Sequence, residues 1–206
     1  MGNPPGQPGY AVLFSFAGER AGRRSPVVLY RGRVKRHPGL IPLSHDHHDA
    51  LVVAQGLILG RSQAPRSDWP TDRRAQADRV VAFFAHTLRS HFEVEEAHLF
   101  PAVVAHLPGE ADLVAQLIDE HDAMRTRSRD LERDPTTDLD VRLPSLGRLL
   151  EAHVRREERV LFETMQREME PADLETLGAR LRGHAREGAS CRYPPTRASE
   201  GATHGE

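Results

Sequence analysis

The sequence predicts an all-α protein: an up-down-up-down antiparallel four-helix bundle with a short C-terminal helix and poorly ordered tails. Three observations predict it. From Ile41 onward the chain is built of long segments with apolar residues at helical spacing and no internal clusters of Pro and Gly. The breaks between these segments are short, and short connections between long helices make neighbours antiparallel. The second and fourth segments also share one frame, His91-x-x-x-Glu95-Glu96-x-x-Leu99-Phe100 and His153-x-x-x-Glu157-Glu158-x-x-Leu161-Phe162. That frame points to a duplicated helical hairpin or to a shared constraint at one site.

Taken in order, residues 1–40 are a Gly-, Pro- and Arg-rich extension with no assigned function; the apolar runs Ala11 to Phe16 and Val27 to Tyr30 are strands or nothing. The first helix is expected from about Leu43 to Leu59, capped by Ser44 and stopped by Gly60. Asp68 with Pro70 reads as the cap and first position of a second helix that runs to about Leu107. Pro101 should kink that helix or end its regular part. Pro108-Gly109 makes a turn, and a third helix covers Glu110 to Arg133. A fourth is expected from Pro144 to Met169, and Pro171 opens a shorter one carrying Leu174, Leu177 and Leu181. The bundle therefore occupies 41–184, followed by a disordered Gly/Ser/Pro-rich tail over 185–206.

Composition narrows the function. A chain of 206 residues is one domain of ordinary size with tails. With 38% hydrophobic and 28% charged residues it suits a globular core, and no stretch approaches the roughly 18 apolar residues of a membrane span. A net charge of -2 supplies no basic field, so no nucleic-acid partner is expected. Cys191 is the only cysteine, which excludes an internal disulfide. The run Tyr10 to Ala17 lacks the basic flank of a signal peptide, so the expected location is cytoplasmic.

The informative residues are polar ones that fall on apolar faces. In the second helix the stripe reads Val80, Phe84, Leu88, His91, Glu95, Leu99, in steps of three and four that hold one helical face. In the fourth it reads Leu146, Leu149 or Leu150, His153, Glu157, Val160, Thr164; in the third, Val114, Leu117, His121, Met124, Ser128, Leu131. In the first helix His47 fits best, with Leu51, Ala54 and Ile58; His48 is the alternative and His45 a third option. Four residues on, a helix returns to within roughly 40° of its start, and five residues on it is roughly 140° away. Glu95 and Glu157 therefore share a face with their histidines, whereas Glu96 and Glu158 point toward solvent or a neighbouring helix.

Burying two carboxylates among aliphatic residues costs several kcal/mol each unless they are paired. No Arg or Lys lies on these inward faces to neutralise them. A bound cation would. Four histidines and two carboxylates at one level suffice for two ions if the carboxylates bridge, and imidazole with carboxylate suits iron, manganese or zinc better than calcium or magnesium.

This pattern resembles the hemerythrin-like family of HHE cation-binding domains. The resemblance covers about residues 41–165 and rests on HDHHDAL, HFEVEEAHLFP, DEHDAM and HVRREERVLFE, in the first to fourth helices. It implies a non-haem di-iron site whose ligands are His47 (or His48), His91, Glu95, His121, His153 and Glu157, with manganese or zinc as lesser alternatives. Oxygen-carrying hemerythrins use five histidines and two bridging carboxylates. This chain offers four in register, closer to variants linked to oxygen and nitric oxide sensing, iron handling and repair of iron centres. The expected function is binding of oxygen, nitric oxide or peroxide at the open iron positions, with Asp46 or Glu120 orienting a histidine of a neighbouring helix. Two alternatives stand beside it: an iron store, sensor or donor without turnover, and a metal-free helical interaction module. No protein partner is identified.

Overall fold

The computed structural model describes residues 35–62 and 68–188; both apolar runs of the N-terminal extension lie outside them. Among the described residues the chain forms an all-helical bundle of five helices and no strand. Helix α1 is Ile41–Leu59. Helix α2 covers 73–106, with π turns at Phe84–Leu88 and Glu95–Leu99. Helix α3 is Ala111–Arg133. Helix α4 covers 139–168, with a π turn at Glu157–Leu161. Helix α5 is Pro171–Gly188.

Several boundaries differ from the expectation, each for a physical reason. Ser44 does not cap α1. The helix starts two residues before the expected Leu43, and the Ser44 hydroxyl donates instead to Glu158 Oε1 (2.7 Å). The cap of α2 is Asp72 rather than Asp68, its carboxylate accepting from the Ala75 N–H at 2.9 Å. Helix α4 begins at Leu139 with Pro144 inside it. Near a helix start a proline forfeits only one ladder bond, and burial of Leu139 and Leu143 holds the extra turn to the core. Helix α5 runs to Gly188, so residues 185–188 are not part of a disordered tail. Gly60 does end α1, in the left-handed conformation at φ 68° that glycine tolerates.

The π turns explain one further difference. The Phe100 N–H donates to the Glu95 carbonyl and the Phe162 N–H to the Glu157 carbonyl, one residue farther back than in an α-helix. A π turn takes in an extra residue. So Leu161, and not the expected Val160, returns to the core after Glu157; Val160 is 46% exposed. Helix α2 runs through Pro101 to His106, as expected, with its irregular turn at Glu95–Leu99 just before the proline. The matching turn in α4 is followed by Glu163, so proline is not the common cause. What the two turns share is the repeated His/Glu frame.

The core is two apolar clusters with a polar layer between them. One contains Ala50, Leu88, Phe92, Met124, Leu150 and Val154, and the other Leu43, Leu99, Phe100, Leu117, Leu161 and Phe162. Leu43 and Ala50 flank His47; Leu117 and Met124 flank His121; Leu88 and Leu99 flank His91 and Glu95; Leu150 and Leu161 flank His153 and Glu157. Each of the first four helices thus carries its polar residues at the same level. Helices α1 and α4 share the most extensive interface. It is close enough at Gly147 that a Cβ there would lie 2.8 Å from the Ala54 carbonyl oxygen. Helix α5 covers one end, adding Leu174, Leu177 and Leu181 to the second cluster.

Candidate metal centre

Six polar side chains fill the layer between the clusters: His47, His91, Glu95, His121, His153 and Glu157, none more than 3% exposed. They form two groups of candidate ligands, His47 with His91 and His121 with His153, and both groups include Glu95 and Glu157. Within each group the ligand atoms lie within 4.8 Å of one another.

The protonation of the histidines follows from their outer partners. His47 Nδ1–H donates to Glu158 (2.8 Å), His91 to Asp46 (3.2 Å), His121 to Glu96 (2.7 Å) and His153 to Glu120 (3.0 Å). A carboxylate can only accept, so each Nδ1 carries a proton. In the neutral imidazole this leaves a lone pair on Nε2. Those lone pairs face each other: His47 Nε2 is 3.0 Å from His91 Nε2, and His121 Nε2 is 3.1 Å from His153 Nε2. Two lone pairs at that distance repel unless something positive lies against both. That spacing fits two neighbouring ligands of one ion with bonds of about 2.0–2.1 Å.

The carboxylates complete the pattern. Glu95 Oε1 lies 3.2 Å from His91 Nε2 and 3.6 Å from His47 Nε2, while Glu95 Oε2 lies 3.4 Å from His121 Nε2. Glu157 Oε2 lies 3.0 Å from His47 Nε2 and 3.4 Å from His153 Nε2. Despite this proximity, all four oxygens of Glu95 and Glu157 are buried without a hydrogen-bond partner. A buried, unpartnered carboxylate is costly, and here two of them face four imidazole nitrogens. The donor set therefore fits a pair of cations held by nitrogen and oxygen.

The electrostatics agree. Burial alone would lower the His47 pKa, but Glu157, Glu158 and Glu95 outweigh it and hold it well above the usual imidazole value. Burial likewise opposes His91, yet Glu95 and Asp46 raise it to about 9. Burial would raise Glu95; the imidazoles of His91, His121 and His47 hold it well below the usual carboxylate range instead. Without a cation, protons on His47 and His91 supply positive charge beside the buried carboxylates.

The residues over which this geometry extends are those matched by the hemerythrin HHE cation-binding domain, residues 40–165. The chain belongs to that family. No curated protein and no solved structure matches it. Within this hemerythrin domain, six of the seven residues singled out from sequence come together. The seventh, His48, does not: one residue past His47 it is turned about 100° around α1 and is exposed, as is His45. Asp46 and Glu120 do orient histidines of neighbouring helices, and Glu96 and Glu158 face neighbouring helices rather than solvent.

Sequence reasoning missed the arginines behind the outer carboxylates of the hemerythrin centre. Arg125 donates to Glu96 at 2.8 Å, and Arg156 and Arg36 form close ion pairs with Glu120 and Glu158. Arg125 had a signal, one helical turn after His121. Arg36 had none, because it precedes the periodic part of the chain. Aromatic rings dry the layer: Phe92 stacks on His121 (centroids 3.8 Å apart) and Phe162 on His47 (5.5 Å).

Proposed function

We propose that the chain is a di-iron protein that takes up a small diatomic ligand, oxygen or nitric oxide, or peroxide. His47 and His91 would hold one ion, His121 and His153 the other, and Glu95 and Glu157 both. The observation that carries this is the sharing of two buried, unpartnered carboxylates between two pairs of imidazoles. Imidazole and carboxylate without thiolate suit iron, with manganese or zinc as weaker alternatives.

When bound, such an ion pair supplies redox-active positions for a small ligand that six protein donors do not fill. The protein's own part is separable. The outer carboxylates fix each ring and keep Nδ1 protonated, which raises the basicity of Nε2. Phe92, Phe100 and Phe162 exclude water from the rings. Glu95 and Glu157 hold the two positions at a fixed separation.

The test is to load the chain anaerobically with ferrous iron, count metal per chain, and record the optical spectrum before and after oxygen, azide or nitric oxide. The reading predicts two irons per chain and absorption bands that respond to the added ligand. One iron or none, or a spectrum indifferent to all three, contradicts it. Uptake of two irons with no response would favour a store or donor.

A further inference from the structure

We infer that Arg36 is a positioning residue for His47, and that through it residues 35–39 set the cation affinity of the His47/His91 half of the centre alone. This rests on reading the site as a two-ion centre.

Arg36 lies outside the family match, as do Gln166 and helix α5. Its guanidinium pairs with Glu158 Oε2 and donates to the Glu158 carbonyl at 3.0 Å. The other oxygen, Glu158 Oε1, accepts from His47 Nδ1 at 2.8 Å and from Ser44 at 2.7 Å. The carboxylate is thus gripped on one oxygen by Arg36 and grips His47 with the other. The guanidinium also lies 5.2 Å from the centre of the Phe162 ring, which stacks on His47. Arg36 therefore bears on both groups that fix this imidazole.

The segment that presents Arg36 is itself tied down. Gln166 accepts from Arg36 Nη1 (3.3 Å) and from the His37 N–H (3.0 Å), and donates to the Lys35 carbonyl (3.3 Å). At the far end, Gly39 passes so close to α5 that a Cβ on it would lie 2.3 Å from the Gly178 Cα. His37 reaches Glu175 of α5 at 3.4 Å. Of the four imidazoles, Glu158 is the Nδ1 partner of His47 only; His121 has Glu96 and Arg125 for the same purpose. Losing Arg36 should therefore loosen one half of the centre and spare the other.

The test is anaerobic titration of the full chain with cobalt(II), read by its visible absorption and by metal analysis, on wild type, Arg36→Ala, Arg36→Lys and Gln166→Ala. Wild type should take two equivalents. Arg36→Ala should still take two, with one step weakened about tenfold, at the low end of the cost of losing an outer partner because Glu158 itself remains, and the other within about threefold. Arg36→Lys should restore part of the loss, since it keeps the charge without the second N–H. Gln166→Ala, which frees the segment and leaves Arg36 intact, should weaken the same step and keeps the test open if Arg36→Ala fails to fold. Two unchanged steps in these variants, or two steps weakened alike, would overturn the inference. Fewer than two equivalents in wild type would overturn the two-ion reading beneath it.

Discussion

On the α3/α4 side of the centre, His121 and His153 donate hydrogen bonds from Nδ1 to Glu96 and Glu120. Each of those acids is held by an arginine of the bundle itself, Arg125 in α3 and Arg156 in α4. On the α1/α2 side the matching acids are Glu158 and Asp46. Glu158 is held from outside the bundle by Arg36, and Asp46, its side chain 42% exposed, has no arginine partner among the described residues. The inner donors of the two halves match, and their outer bracing does not. A family site can therefore be duplicated in its candidate ligands while its halves differ in how firmly each ligand is aimed, which would make two bound ions inequivalent.

The largest expected effect breaks both halves together. Glu95 presents one oxygen to each half, so Glu95→Ala should weaken both cation-binding steps, on the order of 100-fold or more. His91→Ala should abolish only one step. Equilibrium dialysis with metal analysis separates these outcomes; a Glu95 variant that loses a single step means that the halves do not share that carboxylate.

Acidity sharpens the α1/α2 side next. In the metal-free chain His91 is raised to about 9, against about 6.5 for a free imidazole. A raised histidine stabilises the fold fully below the free value and loses that contribution as pH climbs through the folded one. The metal-free chain should thus lose on the order of 3 kcal/mol between pH 6.5 and 9.5. The cation-loaded chain should not, because the cation replaces the proton. Melting curves across that range check it, and loading near pH 7 should release protons to the buffer.

Smaller effects come from the bracing itself. Glu96→Gln and Glu158→Gln should each weaken one step, and a different one, by roughly 10–100-fold. Asp46→Asn should cost less, under about tenfold, because Asp46 is half exposed and its bond to His91 is the longest of the four at 3.2 Å. Stepwise titration of the three variants orders them. If Glu96→Gln and Glu158→Gln weaken the same step, the two halves are not separate.

What could be read from sequence follows from periodicity. The stripes of α2 and α3 are buried residue for residue, from Val80 to Leu99 and from Val114 to Leu131. Steps of four survive in π turns as well as in α turns, and the steps of three fall in α turns, so His91, Glu95 and His121 are legible. Spacing does not show where a π turn inserts its extra residue, which is why Val160 falls outside the core. The start of α4 was missed because Pro144 looks like a helix beginning, whereas the burial of Leu139 and Leu143 that overrides it is tertiary. The apolar stripe of α1 is weak, so packing is what separates His47 from His48. Arg36 was out of reach: its role depends on a non-periodic segment folding back 122 residues in sequence onto Glu158.

Crystals of the iron-loaded chain, measured at the iron absorption edge, test the central claim most directly. Two anomalous peaks are predicted, one against the Nε2 atoms of His47 and His91 and one against those of His121 and His153, with Glu95 and Glu157 touching both. A single peak, or none between the imidazoles, would contradict it.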